Sequence, residues 1–563
     1  MPVRVIGRNT GVGGSTVVPV ATRKMALVGA SRGKSTLMTA EGISISTYAA
    51  QTATITGATE VRSVSRVSNT STGLTDVYRE NIDFTVNGLV LNFTNAQALP
   101  VPEAESLSLY SATGGSWSAA AAVTVTVTAK DQQTGETTAS ASLSYTLTAT
   151  TQKLTLNWNR VPFAGGYNVY VTITGTSYRV ATVVGDSTTT LTLTGQGSTA
   201  ASAPVTNTAK RRPNTGQTIY VDYYYPVYDY SRKEYTNVSD VQTDHGVGSD
   251  LSNAARLAFD NGASNIWIVA TTGTGASAFY AGLESLKTVD VQYVVPLNSS
   301  RTVEQYLKQH AEYCSGDYVG KERFGVAAIA TGSVLADLST WGATFSGTKR
   351  MIPTVTNGVN YDAMLWQTTG GTWVDGPYAV PAHFFAAAFA GTICGLADSA
   401  TPVTNSQVFG FMFPTSSSTI WVEAEVRDTI EGYGITYVME QAGNAVVYHG
   451  ITNNTATVEA QEISVVAAED ELRTSIRTVL SGFKGKDRKI TPTRLIAIAT
   501  RVRQVLSDKV KAEIISSFGP VTVTQDADTP TKLWVRFAYG PVYSMNEIVF
   551  EYGFSVAPLA VAA

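Results

Sequence analysis

The sequence predicts a multidomain chain of mixed α+β and α/β class, mostly β, and three observations carry that expectation. With 563 residues the chain is too long for one hydrophobic core. Its 48 glycines, 44% hydrophobic residues and only 15% charged residues favour packed strands and turns over solvated helices. From Asp250 the apolar spacing changes from period two to a repeated helix and strand order.

Residues 1–22 open with "MPVRVIGRNTGVGGST", a short V-x-V run followed by glycines, which reads as an extended arm that cannot bury itself and needs a partner. In residues 23–50, "KMALVGASRGKSTLM" is a buried strand from Met25 to Val28 and a Gly-rich turn, followed by a second strand in "GISISTY". Two enzyme motifs overlap in this turn. Ser31 between Gly29 and Gly33 matches the nucleophile elbow G-x-S-x-G, yet so few residues precede it that no sheet or oxyanion loop can support it. A phosphate loop would need glycine where Val28 stands, which leaves Lys34 and Ser35 without a cradle. A structural strand and turn is the preferred reading.

Residues 51–115 read as the first part of a β domain, with Phe84, Val86, Leu89, Leu91 and Phe93 around the turn pair Asn87 and Gly88. Residues 116–208 have the short strands and frequent turns of a sandwich. In "LTLNWNRVPFAGGYNVYV", Trp158, Val161, Tyr167, Val169 and Tyr170 resemble the core tryptophan and Y-x-V-Y strand of a fibronectin III or Ig-like module. Residues 209–245 resume the tyrosine-rich alternation, so the sandwich reads as an insertion that splits the β domain. Tyr223, Tyr225, Tyr228 and Tyr230 could form a stacking platform, but period-two spacing favours packed strand faces.

Residues 246–379 repeat amphipathic helix and buried strand three times, an α/β domain. Its loops "ATTGTG", "VPLNSS" and "ATGS" contain no GxGxxG, Walker lysine or acidic pair, so the domain is read as structural. Residues 380–545 are mixed α+β. "HFFAAAFAGTICGLA" is too short to span a bilayer and reads as a buried helix, "GITYVMEQAGNAVVYHG" as a hairpin, and "AEDELRTSIRTVLSGF" and "TRLIAIATRVRQVLSDKVKAEIISSFG" as two amphipathic helices. Between these helices lies a basic run, "FKGKDRKITPTR". Residues 546–563 are a strand and a small-residue tail.

A formal net charge of -4 argues against general attraction to nucleic acid or acidic membranes. Cys314 and Cys394 supply neither a disulfide framework nor a zinc site, and His245, His310, His383 and His449 are scattered singly. No signal peptide, membrane insertion, cofactor, metal or catalytic set is expected, and a reducing cytoplasm is the expected compartment.

The order of these features resembles that of contractile tail sheath proteins of bacteriophages and related injection machines. The segments that carry the resemblance are "MALVGASRGKSTLMTAEGISI", "GSDLSNAARLAFDNGASNIWIV", "VDVQYVVPLNSSRTVEQYLKQHAEYCS", "VPAHFFAAAFAGTICGLADSATPVTNSQVFGF" and "GITYVMEQAGNAVVYHGIT", through to "NEIVFEYGF". The sandwich departs from the simplest family pattern. The resemblance implies a core built from both chain ends, a helical polymer of rings around a tail tube, and contraction without nucleotide hydrolysis that drives the tube through the host cell envelope for genome ejection. It implies as partners other copies of the chain, the tube protein, and baseplate and terminator proteins, in a virion tail assembled in the host cytoplasm. It also implies strand-donating arms (Val3, Val5, Val17, Val18, Ile548, Phe550, Tyr552, Phe554), with Gly7, Gly11, Gly13 and Gly14 as their hinge. Arg473, Arg477, Lys484, Lys486, Arg488 and Lys489 are the candidates for tube contact. The competing readings are a surface adhesin that binds carbohydrate and a hydrolase using Ser31.

Overall fold

The computed structural model describes residues 23–45, 51–71, 77–213, 216–330, 333–345, 347–355, 360–361, 365–367, 372–374, 378–412, 424–441, 444–483 and 489–545. The fold is mixed α+β and multidomain. Contacts divide it into two compact units, one of residues 35–227 and one of residues 1–34 with 228–563.

In the second unit, the strand Met25–Ala30 lies between two parallel neighbours, Ile266–Thr271 and Tyr293–Pro296, with Leu27 opposite both Ile268 and Val295. Parallel pairing continues through Phe324–Ala328 and Met351–Val355 to Thr436–Gln441. The sheet then turns antiparallel at Asn444–His449 and Gln407–Met412. Alternate residues of the central strand feed two cores. Met25 and Leu27 pack with the helices Asp250–Asp260 and Ala382–Gly395, whereas Ala26 and Val28 pack with Ala276–Ser285, Arg301–Ser315 and Leu335–Phe345. A strand buried on both faces must be apolar at successive positions, which is why "MALV" does not alternate.

The helix Ala382–Gly395 is buried almost all round, as its composition predicts. A Cβ at Gly391 would stand 2.5 Å from the Ala258 carbonyl oxygen, so glycine is what lets the two helices meet. The expected boundary at 379/380 moves: this helix and the hairpin Thr436–Gln441 with Asn444–His449 share the core and sheet of the α/β region. A separate core gathers the helices Ile463–Ser481 and Pro492–Lys511 around Leu472, Val502 and Leu506. The expected helix over "EIISSFG" is instead the strand Ile515–Phe518: the helix stops at Lys511, Glu513 turns at φ 56°, and two adjacent β-branched isoleucines follow.

In the other unit, Lys34–Ser44, Thr218–Val227, Ser63–Ser68 and Val77–Tyr78 form one sheet, with Tyr220 opposite Ser68. The strand after the insertion therefore pairs with strands before it. Two expected boundaries shift here. Lys34–Ser44 lies in this sheet rather than with Met25–Ala30, because its burial alternates, and Lys233–Tyr235 pairs with Ile266–Thr271 and so belongs to the other unit.

The sandwich begins at Ala104 rather than Ser116, because Ala104–Ser111 pairs with Lys153–Trp158, Leu107 opposite Leu156. Its sheets are Thr190–Leu193, Lys153–Trp158, Ala104–Ser111 and Leu143–Thr146, Ala122–Lys130, Gly166–Ile173, Thr176–Val184. The first, fourth and seventh strands share a sheet, whereas an Ig sandwich groups its first, second, fifth and fourth. Trp158 is buried and meets Tyr167 edge-on at 5.3 Å. Phe163, held at φ 68°, reaches Tyr78 at 4.6 Å, so sandwich and host sheet share one core.

Candidate functional site

The arm residues Val3, Val5, Val17, Val18, Ile548, Phe550, Tyr552 and Phe554, the hinge glycines Gly7, Gly11, Gly13 and Gly14, and Lys484, Lys486 and Arg488 lie outside the described residues. Arg473, Arg477 and Lys489 are described, and the first two carry charge already matched within the chain. Arg473 pairs with Glu469 at 2.7 Å, one helical turn away. Arg477 donates to Glu322 and lies 3.8 Å from Asp317. Both arginines line a cleft of about 330 Å3 with Glu469, Leu472, Ile476, Phe537 and Tyr539.

Behind the cleft, Arg350 donates to Asp470 at 2.5 Å and Lys349 to Glu469 at 2.7 Å. Burial pushes the Asp470 carboxyl up against the pull of Arg350. The inner face of Ile463–Ser481 is thus ion-paired to the loops around residues 317–322 and 349–350. No helical period reveals those partners, because they lie more than a hundred residues away.

Lys489 precedes the helix Pro492–Lys511, whose first turn is fixed by proline at its start and by Thr491 Oγ1 accepting from the Arg494 N–H at 3.3 Å. The exposed side of this helix carries Arg494, Arg501 and Ile496, the last 66% exposed. Of the two helices, this one presents cations to solvent without a carboxylate beside them on its own surface turn.

Ser31 does meet a histidine. His245 Nδ1 lies 3.2 Å from Ser31 Oγ, and its Nε2 lies 3.0 Å from Tyr235 Oη, which donates to Asp244 at 3.0 Å. Since the Tyr235 proton goes to Asp244, His245 Nε2 carries the N–H and Nδ1 accepts from Ser31. Burial holds the His245 pKa below its usual value. The amide that an elbow would aim at an oxyanion is nevertheless committed: Arg32 N–H donates to the His245 carbonyl at 2.9 Å, and the next amide, Gly33 N–H, donates to Ser31 Oγ itself at 2.9 Å. This arrangement locks the turn after Met25–Ala30 to the end of the helix Val238–His245.

Two further buried polar groups serve the fold. Arg323 is wholly buried and caps the turn Leu286–Thr288 through the carbonyls of Leu286 and Val289, at 3.1 and 2.7 Å. Glu304 accepts from the Ala328 N–H at 3.0 Å, and burial pushes its carboxyl well up. Among the tyrosines proposed as strand faces, Tyr223 is fully buried, whereas Tyr228 and Tyr230 are exposed and stack in parallel at 5.9 Å. Among the described residues, no group of three or more His, Cys, Asp and Glu is placed to hold a metal ion, and no helix is long and apolar enough to cross a membrane.

No family model matches the sequence. The chain is 22% identical over 340 residues to the tail sheath protein of Mycobacterium phage Bxz1, a match covering 58% of this chain and 56% of that one. It thus spans little more than half the length of that relative. Solved structures with some likeness include the anti-feeding prophage helical sheath in its contracted state, with TM-score 0.44, 14% identity and coverage of 57% of this chain and 87% of that one. Sheath tail proteins from Desulfitobacterium hafniense (TM-score 0.36, 10% identity, 95% and 100% covered) and Listeria innocua (TM-score 0.36, 10% identity, 81% and 81% covered) are further cases. Over somewhat more than half of its length, this chain is similar in sequence to a phage tail sheath protein.

Proposed function

We propose that the protein is a structural subunit of a contractile tail sheath, polymerising into a helical array around a tail tube. The observation that carries this reading is the similarity to a named tail sheath protein over 340 residues. Other copies of the chain, the tube, the baseplate and a terminator are the proposed partners, in a virion tail assembled in the host cytoplasm. Contraction from a strained extended state drives the tube through the host envelope for genome ejection, with no nucleotide consumed. The broken phosphate loop at Val28 and the committed amides around Ser31 support a non-enzymatic role.

In this reading, residues 1–22 and 546–563 add strands to neighbouring subunits, a mode in which main-chain hydrogen bonds supply strength independent of side chains. The tube-facing charge falls on Lys484, Lys486, Arg488 and Lys489, extended by Arg494 and Arg501, because Arg473 and Arg477 are neutralised internally. The inserted fibronectin III-like sandwich enlarges subunit contacts or meets a host surface.

Negative-stain electron microscopy of the purified chain, alone and with its tube protein, tests the proposal. Hollow helical tubes or stacked rings are expected. Dispersed subunits in both conditions would favour a surface adhesin and call for a glycan-binding screen. Chains lacking residues 1–16 or 546–563 are expected to stay folded and fail to polymerise, and filaments from both truncated forms would remove the arms as joints. Ser31→Ala is expected to assemble normally.

A further inference from the structure

The strand Asn444–His449 ends in a histidine whose two ring nitrogens both face carboxylates. Nδ1 meets Glu431 Oε1, and Nε2 lies 2.6 Å from Glu462 Oε1. Ionised carboxylates only accept, so both nitrogens donate and the ring is an imidazolium. Glu431 comes from the helix Ala424–Gly432, and Glu462 is buried just before the helix Ile463–Ser481.

Glu462 has a second task. Its other oxygen, Oε2, accepts from Ser544 Oγ at 3.1 Å, and Ser544 Oγ also lies 3.2 Å from Ser464 Oγ. Beside it, Tyr543 Oη donates to Glu459 at 2.8 Å. The last described strand, Tyr539–Pro541, ends before these residues, and Tyr543 and Met545 are 51% and 79% exposed. Residues 543 and 544 are thus held by side-chain bonds to the short helix Val458–Gln461 and to the start of the helix Ile463–Ser481, and the best buried of these goes to Glu462.

We infer that Glu431, His449 and Glu462 form a charged clip that fastens residues 543–545, the root from which residues 546–563 continue, to the start of the helix Ile463–Ser481. The imidazolium is the cation between two anions. Without its proton, Glu431 and Glu462 face each other unshielded, Glu462 is drawn toward water, and Ser544 loses its acceptor. The charged groups that face His449 are Glu431 and Glu462, with Tyr437 opposite it on the paired strand and Tyr448 beside it in sequence; Glu425, Arg427 and Asp428 share the helix of Glu431, Glu440 the strand of Tyr437, and Glu459, bonded to Tyr543, the short helix Val458–Gln461. Burial alone would lower the His449 pKa, but the two carboxylates raise it to about 9. The clip is thus closed at neutral pH and opens on the alkaline side. The clip's chemistry is independent of the sheath reading, and only its consequence for joining subunits rests on that reading.

Chymotrypsin cleavage after Tyr543 in the full chain, located by mass spectrometry and normalised to a free peptide of residues 537–551, tests the clip. His449→Gln is expected to raise the normalised rate about tenfold at pH 8, the population change that one charge-assisted hydrogen bond can supply, while cooperative thermal unfolding persists. The wild-type rate should climb between pH 8 and 10, and that climb should vanish in the variant. An unchanged rate in a folded His449→Gln chain overturns the clip. Should that variant fail to fold, Ser544→Ala decides, because it removes only the root's hydroxyl: faster cleavage upholds the clip and unchanged cleavage overturns it. Assembly is scored separately by electron microscopy, so a chain that never polymerises yet shows the cleavage response would defeat the sheath reading and leave the clip standing.

Discussion

Arg350 and Asp470, 120 residues apart in sequence, form a hydrogen-bonded ion pair of 2.5 Å in which both side chains are about nine-tenths shielded from solvent. The pair joins the start of the strand Met351–Val355 to the helix Ile463–Ser481. Each charge is tolerable there only because of the other. Arg350→Met is therefore expected to lower stability by about 3–5 kcal/mol, whereas Arg350→Met combined with Asp470→Leu should recover most of the loss. Urea unfolding of the two variants measures the difference. A single variant as stable as the wild type would mean that water reaches Asp470.

His449 gives stability a pH dependence of definite sign. Its folded pKa of about 9 lies above the ordinary value of 6.5, so its contribution is complete below pH 6.5 and is lost as the pH rises through 9. A shift of that size corresponds to about 3 kcal/mol. Urea midpoints between pH 6 and 10 should fall toward the alkaline end in the wild type and stay flatter in His449→Gln.

Asp131 is the fastening between the sandwich and the strand that returns from it. Its Oδ1 accepts from the N–H groups of Gln133 and Gly135 at 2.9 and 2.8 Å, and its Oδ2 from Arg212 and the Lys210 N–H at 3.1 and 3.2 Å. The neighbouring Arg211 reaches Asp83 at 3.4 Å and covers the Phe163 ring at 4.4 Å. Asp131→Ala strands several donors at once and should cost about 3 kcal/mol. Calorimetry of the full chain should show the loss, with Asp131→Asn falling between the two.

What the sequence made legible follows from how far each signal reaches. The buried strand at Met25, the turn at Asn87 and Gly88, the apolar helix at His383 and the hairpin ending at His449 are written in adjacent residues, and the structure contains all four. Domain edges were less legible. Ala104–Ser111 is a half-exposed strand whose partner lies some fifty residues on, so nothing local assigns it to the sandwich. The partners of Arg477 and His449 depend on tertiary packing and have no spacing to read, whereas the Glu469 partner of Arg473 stands four residues before it on the same helix. Ser31 shows the opposite failure: a motif with correct spacing meets a real histidine, but its backbone donors are already used.

The placement of Met25–Ala30 between strands that begin at Ile266 and Tyr293 also constrains how the chain is born. At ordinary synthesis rates the ribosome needs on the order of ten to fifty seconds to reach those partners. Throughout that interval "MALVGA" has neither partner strand, whereas residues 35–227 hold everything their own core requires once Val227 has been made, before Ile266 is reached. The unit in the middle of the sequence can therefore mature first on the nascent chain. The segment ahead of it is the one that most needs a chaperone's cover.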